Sequence, residues 1–409
     1  MALASIGLAC ERQYAEAYTA HSLPIVKLNI DENYLWSADS GLYVVGTYSA
    51  DTPNFDYKWE YPAKVSFINF GEEELEEQVG FRIKGNSTRY LSEKSFGLYW
   101  RSEYGKSSVD YPFFPQNEIS HFKRLLIRTS ASDYTHLKDV AICAIVRDDI
   151  RLDFQDYQAC ALYLNKEYWG LYYLREMITP HHFENHYGVD RDSVDLLQGE
   201  EVSPTVDDGS AEAFVQEVIN YIDEHNLADS SAYQTLSERI DIQSYMDYII
   251  VNTYIAKGDW PWSNGKWWRA RGDASYQRWR WVFYDSDWSF RMENVHDVYM
   301  GDLYGQSFES GVTDNFFLFN HLILNTEFRE AFLERYLYFI EQVFEEQRVE
   351  DIIYAIKAEV EDEYQRHAQK WGQSDGIVWD IAVKQMISFN NERHDYMKSI
   401  IKELQNENN

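Results

Sequence analysis

The chain has 409 residues, 45% hydrophobic and 26% charged, the balance of a soluble globular protein long enough for two or three domains or lobes. Lys and Arg number 37 against 68 Asp and Glu, a formal net charge of −31. Such a charge repels nucleic acid and anionic membranes at long range, and no basic tract of five or more residues offsets it, so the chain is not read as a nucleic-acid binder.

Residues 1–22 form an N-terminal segment. Its start, MALASIGLAC, is apolar and rich in small residues, and Cys10 follows Leu-Ala. It reads either as the remnant of a lipoprotein signal with Cys10 as the lipidated residue, or as a displaced start, because it lacks a positive n-region. An extracellular or cell-surface location is favoured over a cytoplasmic one. No apolar run of 18 or more residues occurs, so no transmembrane helix is expected. Cys10, Cys143 and Cys160 show no C-x-x-C spacing, which leaves a zinc or redox motif unsupported.

Residues 23–178 read as a β-rich region with a nucleotide-binding lobe. Strand-like alternation runs over 23–29, 41–45, 63–69, 80–84, 94–100 and 122–128. The acidic stretch 71–77 reads as a solvated hairpin turn. A helix is expected over 134–148, then a hairpin in which 157–164 returns through Asn165-Lys166-Glu167 to 168–174. The aromatic content of 16% fits a core of alternating strand residues better than a sugar- or peptide-binding surface.

Residues 179–409 read as a helical lobe. Residues 199–211 are loop-like, and 211–226 is one helix. Ile242, Tyr245, Met246, Ile249, Ile250, Thr253 and Tyr254 keep one helical face, with Asp241 as N-cap and Gly258 as the stop. A hairpin over 267–271 and 279–285 follows, then helices over 312–345, 348–370 and 377–405. A β-rich first half and a helical second half predict an α+β fold with two lobes.

The chemistry concentrates after the helix ending near Gly258. In Lys257-Gly-Asp-Trp-Pro-Trp-Ser-Asn264, Asp259 and Asn264 stand at D-x-x-x-x-N spacing. Beyond the hairpin, Tyr284-Asp-Ser-Asp-Trp288 adds Asp285 and Asp287. An Asp near an acceptor hydroxyl can orient it and take its proton, while Asn and Asp oxygens suit Mg²⁺. This is the layout with which protein-kinase-like enzymes hold a hydroxyl and the metal ions of ATP. Taken alone, Asp259 before Pro261 and Asn264-Gly265 are ordinary turn chemistry; the helix before and the strand-end acids after them favour catalysis. Between two earlier strands, the loop Gly85-Asn86-Ser87-Thr88-Arg89 offers backbone N–H groups and hydroxyls to phosphates. Lys94 is the candidate phosphate lysine, with Lys84 and Arg89 as competitors.

Three motifs, taken together and in order, resemble the spore-coat CotH kinase family: Lys84-Gly-Asn-Ser-Thr-Arg89 followed by Lys94-Ser-Phe, Tyr163-Leu-Asn-Lys-Glu-Tyr-Trp-Gly-Leu-Tyr-Tyr-Leu-Arg-Glu176, and Tyr284-Asp-Ser-Asp-Trp288. The resemblance spans roughly 23 to 400. It implies an atypical, protein-kinase-like two-lobed fold that binds ATP with Mg²⁺ or Mn²⁺ and phosphorylates Ser or Thr of protein substrates. By position it implies that Gly85, Asn86, Ser87, Arg89 and Lys94 face the phosphates and that Glu176 is the hinge acid. Asp259 is then the catalytic-loop Asp, Asp285 and Asp287 the metal-binding acids, and Asn264 their helper. The chain departs from the family in having Arg291 where a Gly often follows the aromatic. It has neither Gly-x-Gly-x-x-Gly nor Asp-Phe-Gly. Asp139 is taken as the acidic partner of Lys94.

Two other readings use the same residues. A surface or coat-associated binding module keeps the fold without the chemistry, but has little reason to gather acids at loop ends. A two-carboxylate carbohydrate-active enzyme accounts for the acids but not for the Gly85 loop and Lys94.

Overall fold

A computed structural model describes residues 21–69, 72–261, 263–298, 316–373 and 376–407. Cys10, Gly71, Trp262 and residues 312–315 of the expected helix lie outside the described residues. The fold is a mixed α+β one, β-rich toward the N-terminus and helical toward the C-terminus. Contacts divide the chain into two compact units.

The first unit draws on Met1–His136, Asp156–Met177 and Ala355–Asp380. Its strands are β1 (Ile25–Ile30), β2 (Tyr61–Asn69), β3 (Glu72–Lys84), β4 (Ser95–Tyr99), the short pair β5 (Val109–Asp110) and β6 (His121–Phe122), and β7 (Arg124–Arg128). With β9 (Tyr157–Leu164) and β10 (Glu167–Arg175), seven of these close a barrel in the order β1-β2-β3-β4-β7-β10-β9. Closure comes from β1, antiparallel to β2 on one side and parallel to β9 on the other. Alternation sends Val26, Leu28, Val65, Phe81, Leu98 and Ile127 into one buried core. The β9–β10 hairpin turns on Asn165 and Lys166, both at positive φ (49° and 71°), the conformation a two-residue hairpin turn needs.

The second unit draws on Leu137–Gln155, Ile178–Tyr354 and Ile381–Asn409. A five-stranded sheet runs β12 (Pro204–Asp208), β11 (Val194–Gly199), β13 (Lys266–Ala270), β14 (Arg280–Phe283) and β8 (Asp153–Phe154). The helix Ile242–Tyr254 is buried at every residue from Ser244 to Tyr254. Burial of each of its aliphatic side chains stabilises the unit by about 1.5–3 kcal/mol. Several of its polar members are paired. Asp247 accepts from the Arg151 amide (2.8 Å) and from Arg335 (2.9 and 3.1 Å), and Asn252 donates to the Tyr248 carbonyl at 2.8 Å.

Several local expectations are corrected. Residues 41–45 are not a strand: they fold back on the short helix Glu32–Trp36, with Leu42 and Tyr43 amides donating to the Tyr34 and Leu35 carbonyls (2.8 and 2.9 Å). The acidic stretch is no turn but the first half of β3, where charges face a neighbouring strand, as in the Lys64–Glu76 pair at 2.7 Å. The 138–146 helix starts late because Thr135 and Asp133 form a local side-chain turn and His136 takes φ 58°. Residues 204–208, read as loop, form the edge strand β12. Asp241 does cap the 242–254 helix, accepting the Ser244 amide at 3.2 Å. The left-handed residue that ends it is Ala256 (φ 47°), not Gly258. Among the described residues no helix is long and apolar enough to cross a membrane.

Candidate active site

The helix Ile242–Tyr254 and the strand β14 each end in a loop, and the two loops are hydrogen-bonded together. The Gly258 amide donates to the Trp288 carbonyl (2.7 Å), and the Phe290 amide donates to the Ile255 carbonyl (3.1 Å). Lys257, 1% exposed, donates from Nζ to the Tyr284 carbonyl at 2.8 Å. Gly258 allows a close approach: a Cβ there would stand 3.3 Å from the Trp288 oxygen, a tight contact that the loop would have to ease. The two acidic motifs, separated by the β13–β14 hairpin in sequence, are thus one structure in space.

Within the first loop, Asn264 Nδ2 donates to Asp259 Oδ2 at 2.6 Å, so the D-x-x-x-x-N spacing closes into a direct contact. Asn264 takes φ 60°, and the Ser263 amide and hydroxyl both donate to the Asp259 carbonyl (3.1 and 2.7 Å). Trp260 anchors the loop from beneath, fully buried, its indole N–H donating to Tyr248 Oη at 2.7 Å. It also helps line a small cavity with Glu201, Tyr248, Pro261, Trp267 and Trp281.

In the second loop Asp285 is half-buried at φ 58° and Asp287 is 5% exposed. Ser286 between them turns inward, and both its amide and its hydroxyl donate to Asp139 Oδ1 at 3.0 Å. Asp139 therefore orients this loop. Lys94, for which Asp139 is the expected partner, instead donates to the Arg89 and Leu91 carbonyls.

Tyr284 gathers the charges. Its ring lies under two ammonium groups, Lys257 Nζ at 5.7 Å and Lys266 Nζ at 5.6 Å from the centroid. Burial, then the charges of Asp285, Asp207 and Asp259, push its phenol above the ordinary tyrosine range. Lys266 pairs with Asp207 Oδ2 at 2.6 Å. Sequence reasoning missed Asp207, which lies in the stretch read as loop, and Lys266, which no motif marks. Asp259, Asn264, Asp285 and Asp287 carry oxygen ligands of the kind a hard divalent cation such as Mg²⁺ takes.

From behind, Arg393, fully buried, donates to the carbonyls of Thr253 (2.6 Å), Tyr254 (2.9 Å) and Val295 (2.8 Å). It caps the helix that delivers Asp259 and ties that end to the chain leaving the second loop. Phe290 stacks on Phe389 of the same helix as Arg393, with centroids 4.9 Å apart.

The other expected site residues lie in the first unit. Gly85 takes φ 99°, and a Cβ there would meet Thr88 Oγ1 at 2.3 Å. Asn86 precedes a single 3₁₀ turn, Ser87–Tyr90, and its carbonyl accepts the Arg89 amide at 3.2 Å. Arg89 Nη1 donates to the Asp56 carbonyl at 3.3 Å. Lys94 is 4% exposed and turns its ammonium onto the Arg89 and Leu91 carbonyls (the latter at 2.9 Å), over the Phe55 ring at 4.2 Å. Burial lowers its pKa to about 8. Glu176, also buried, accepts the Asp156 amide at 3.2 Å.

The family model described as CotH kinase protein matches residues 81–397. The chain belongs to the CotH kinase family. The match takes in the Gly85 loop, the β9–β10 hairpin and both acidic loops, the segments that carry the resemblance in sequence. No individually curated protein gives a significant match. Membership makes this a kinase-like protein.

Proposed function

We propose that this CotH-family chain transfers the γ-phosphate of ATP, with Mg²⁺ or Mn²⁺, to Ser or Thr hydroxyls of protein substrates. The observation that carries the reading is the Gly258–Trp288 hydrogen bond, which fastens the Asp259–Asn264 loop to the Asp285–Asp287 loop. Asp259, steadied by Asn264 at 2.6 Å, is the group that orients the acceptor hydroxyl and takes its proton. Asp285 and Asp287, with Asn264 as helper, are the oxygens for the divalent metal, which when bound neutralises charge on the phosphates. The architecture proposed is protein-kinase-like and two-lobed, divided at 178/179. The nucleotide-facing residues in its first lobe are Gly85, Asn86, Ser87, Arg89, Lys94 and Glu176, which rest on the family resemblance. A location outside the cytoplasm, at the cell surface or in a coat, belongs to the same proposal.

The test is incubation with radiolabelled ATP and Mn²⁺, offering a basic Ser peptide, an acidic Ser peptide and simple sugars. Label on Ser or Thr of a peptide or of the protein itself is expected. Label on a sugar alone removes the protein-kinase reading. Absence of both nucleotide binding and label favours a binding module that has kept the fold.

A further inference from the structure

We infer that Lys257 and Lys266, the two ammonium groups over the Tyr284 ring, are the phosphate-binding lysines of this site. The inference rests on the phosphoryl-transfer reading above and names the cations that reading needs. Asp207, Asp259, Asp285 and Asp287 are carboxylates of one unit, and a polyphosphate approaching them meets repulsion that nearby cations must offset. Lys257 and Lys266 bring cations to that place, both over the Tyr284 ring. Lys257 stands two residues before Asp259 and holds the Tyr284 carbonyl, the peptide preceding Asp285, at 2.8 Å. Lys266 stands two residues after Asn264 and lies 5.6 Å from the Tyr284 ring centroid. Both are nearly buried, 1% and 8% exposed, so their charges are screened little by solvent.

Lys94 serves a different loop. Its ammonium is folded back on the Arg89 and Leu91 carbonyls and the Phe55 ring, which makes it a staple for the Gly85–Leu91 loop. The Lys266 partner, Asp207, is the more exposed member of its pair, 37% against 10%, on the edge strand β12. A phosphate oxygen can take over the Lys266 donor as the Asp207 carboxylate swings to water. Asp207 then competes with the nucleotide, which gives the inference a sign that a purely structural ion pair lacks.

The experiment uses the full chain with Mn²⁺ and an acyl-phosphate derivative of ATP. A lysine amine at the phosphates attacks the acyl carbon, an amide forms, and the nucleotide leaves with the bonding electrons of the broken carbonyl carbon–oxygen bond. Peptide mass spectrometry should find the amide on Lys257 or Lys266, and excess ATP should suppress it. In parallel titrations, Lys266→Met should weaken ATP binding tenfold or more, and Asp207→Asn should tighten it several-fold. Label on Lys94 alone, or ATP affinity unchanged in both variants, overturns the inference while leaving the kinase reading standing. A parent chain that binds no nucleotide with Mn²⁺ overturns both.

Discussion

The Gly258 amide and the Trp288 carbonyl oxygen are 2.7 Å apart, and this one hydrogen bond joins two loops whose acids lie more than twenty residues apart in sequence. It places them on a common support of buried elements. The helix Ile242–Tyr254 holds the first loop, β14 the second, and Arg393 binds carbonyls at the end of the one and beyond the other. The consequences can be measured.

Asp285→Ala and Asp287→Ala each remove a carboxylate proposed for the metal. Phosphoryl transfer should fall by a factor of about 100 or more, the scale on which a lost electrostatic contact acts in a catalytic site. Thermal stabilisation by ATP should lose its dependence on Mn²⁺. Parent-like transfer in both variants would show that the metal is held elsewhere.

Asp259→Asn keeps the size of the side chain and removes its basicity. Nucleotide affinity should stay within a few-fold while transfer drops sharply, the pattern of a group used in the transition state. Isothermal titration beside single-turnover transfer separates the two. A variant that loses binding but keeps turnover per bound nucleotide contradicts the role.

Glu201 lines the cavity beside Trp260, and burial raises its carboxyl to about 8 although the Leu318 amide donates to it at 3.0 Å. The folded chain therefore keeps this proton where the unfolded chain, near the ordinary 4.5, releases it. Stability should fall as pH rises from about 4.5 to about 8 and level off above that, because the folded state binds more protons in that window. Glu201→Gln should remove this contribution, so its stability relative to the parent should improve from pH 5 to pH 8 in urea unfolding. A difference that does not vary with pH would show that Glu201 is charged in the fold.

Arg393→Met leaves three buried carbonyls without their charged donor. The Thr253 carbonyl keeps the Ala256 amide at 3.2 Å, so two carbonyls are left unsatisfied, and at about 1–3 kcal/mol each the cost should be on the order of 2 kcal/mol or more. The urea midpoint should drop with little change in slope. Arg393→Lys should recover only part of the loss, because one ammonium does not reproduce the planar fork that reaches Thr253, Tyr254 and Val295.

A net charge of −31 should favour basic acceptors. Transfer to a basic Ser peptide should exceed transfer to an acidic one and should decline as salt rises, since exposed charges are screened over about 8 Å at physiological ionic strength. Self-phosphorylation should decline less. Preference for the acidic peptide would remove the steering argument and leave the chemistry untouched.

What the sequence determined by itself is local. Strand alternation, the Asn165-Lys166 turn, the Asp241 cap, the buried face of the 242–254 helix and the Asp259–Asn264 spacing are set by residues a few positions apart, where side-chain period and turn chemistry act directly. The three quoted motifs lie in the segment that the family model covers. The tertiary structure decided what depends on distant partners. Residues 41–45 alternate like a strand, yet their amides are taken by Tyr34 and Leu35. Gly258 looks like a helix stop, but its missing Cβ makes room for the Trp288 carbonyl. Lys94 leads into its strand as read, but that its ammonium rests on the Arg89 and Leu91 carbonyls is a matter of the folded loop. Asp207, read as part of a loop, reaches the Tyr284 cluster only because β12 pairs with β11 and β11 with β13, which carries Lys266. No sequence period encodes such pairings: they follow from which strand edges and buried charges find each other once the chain has folded.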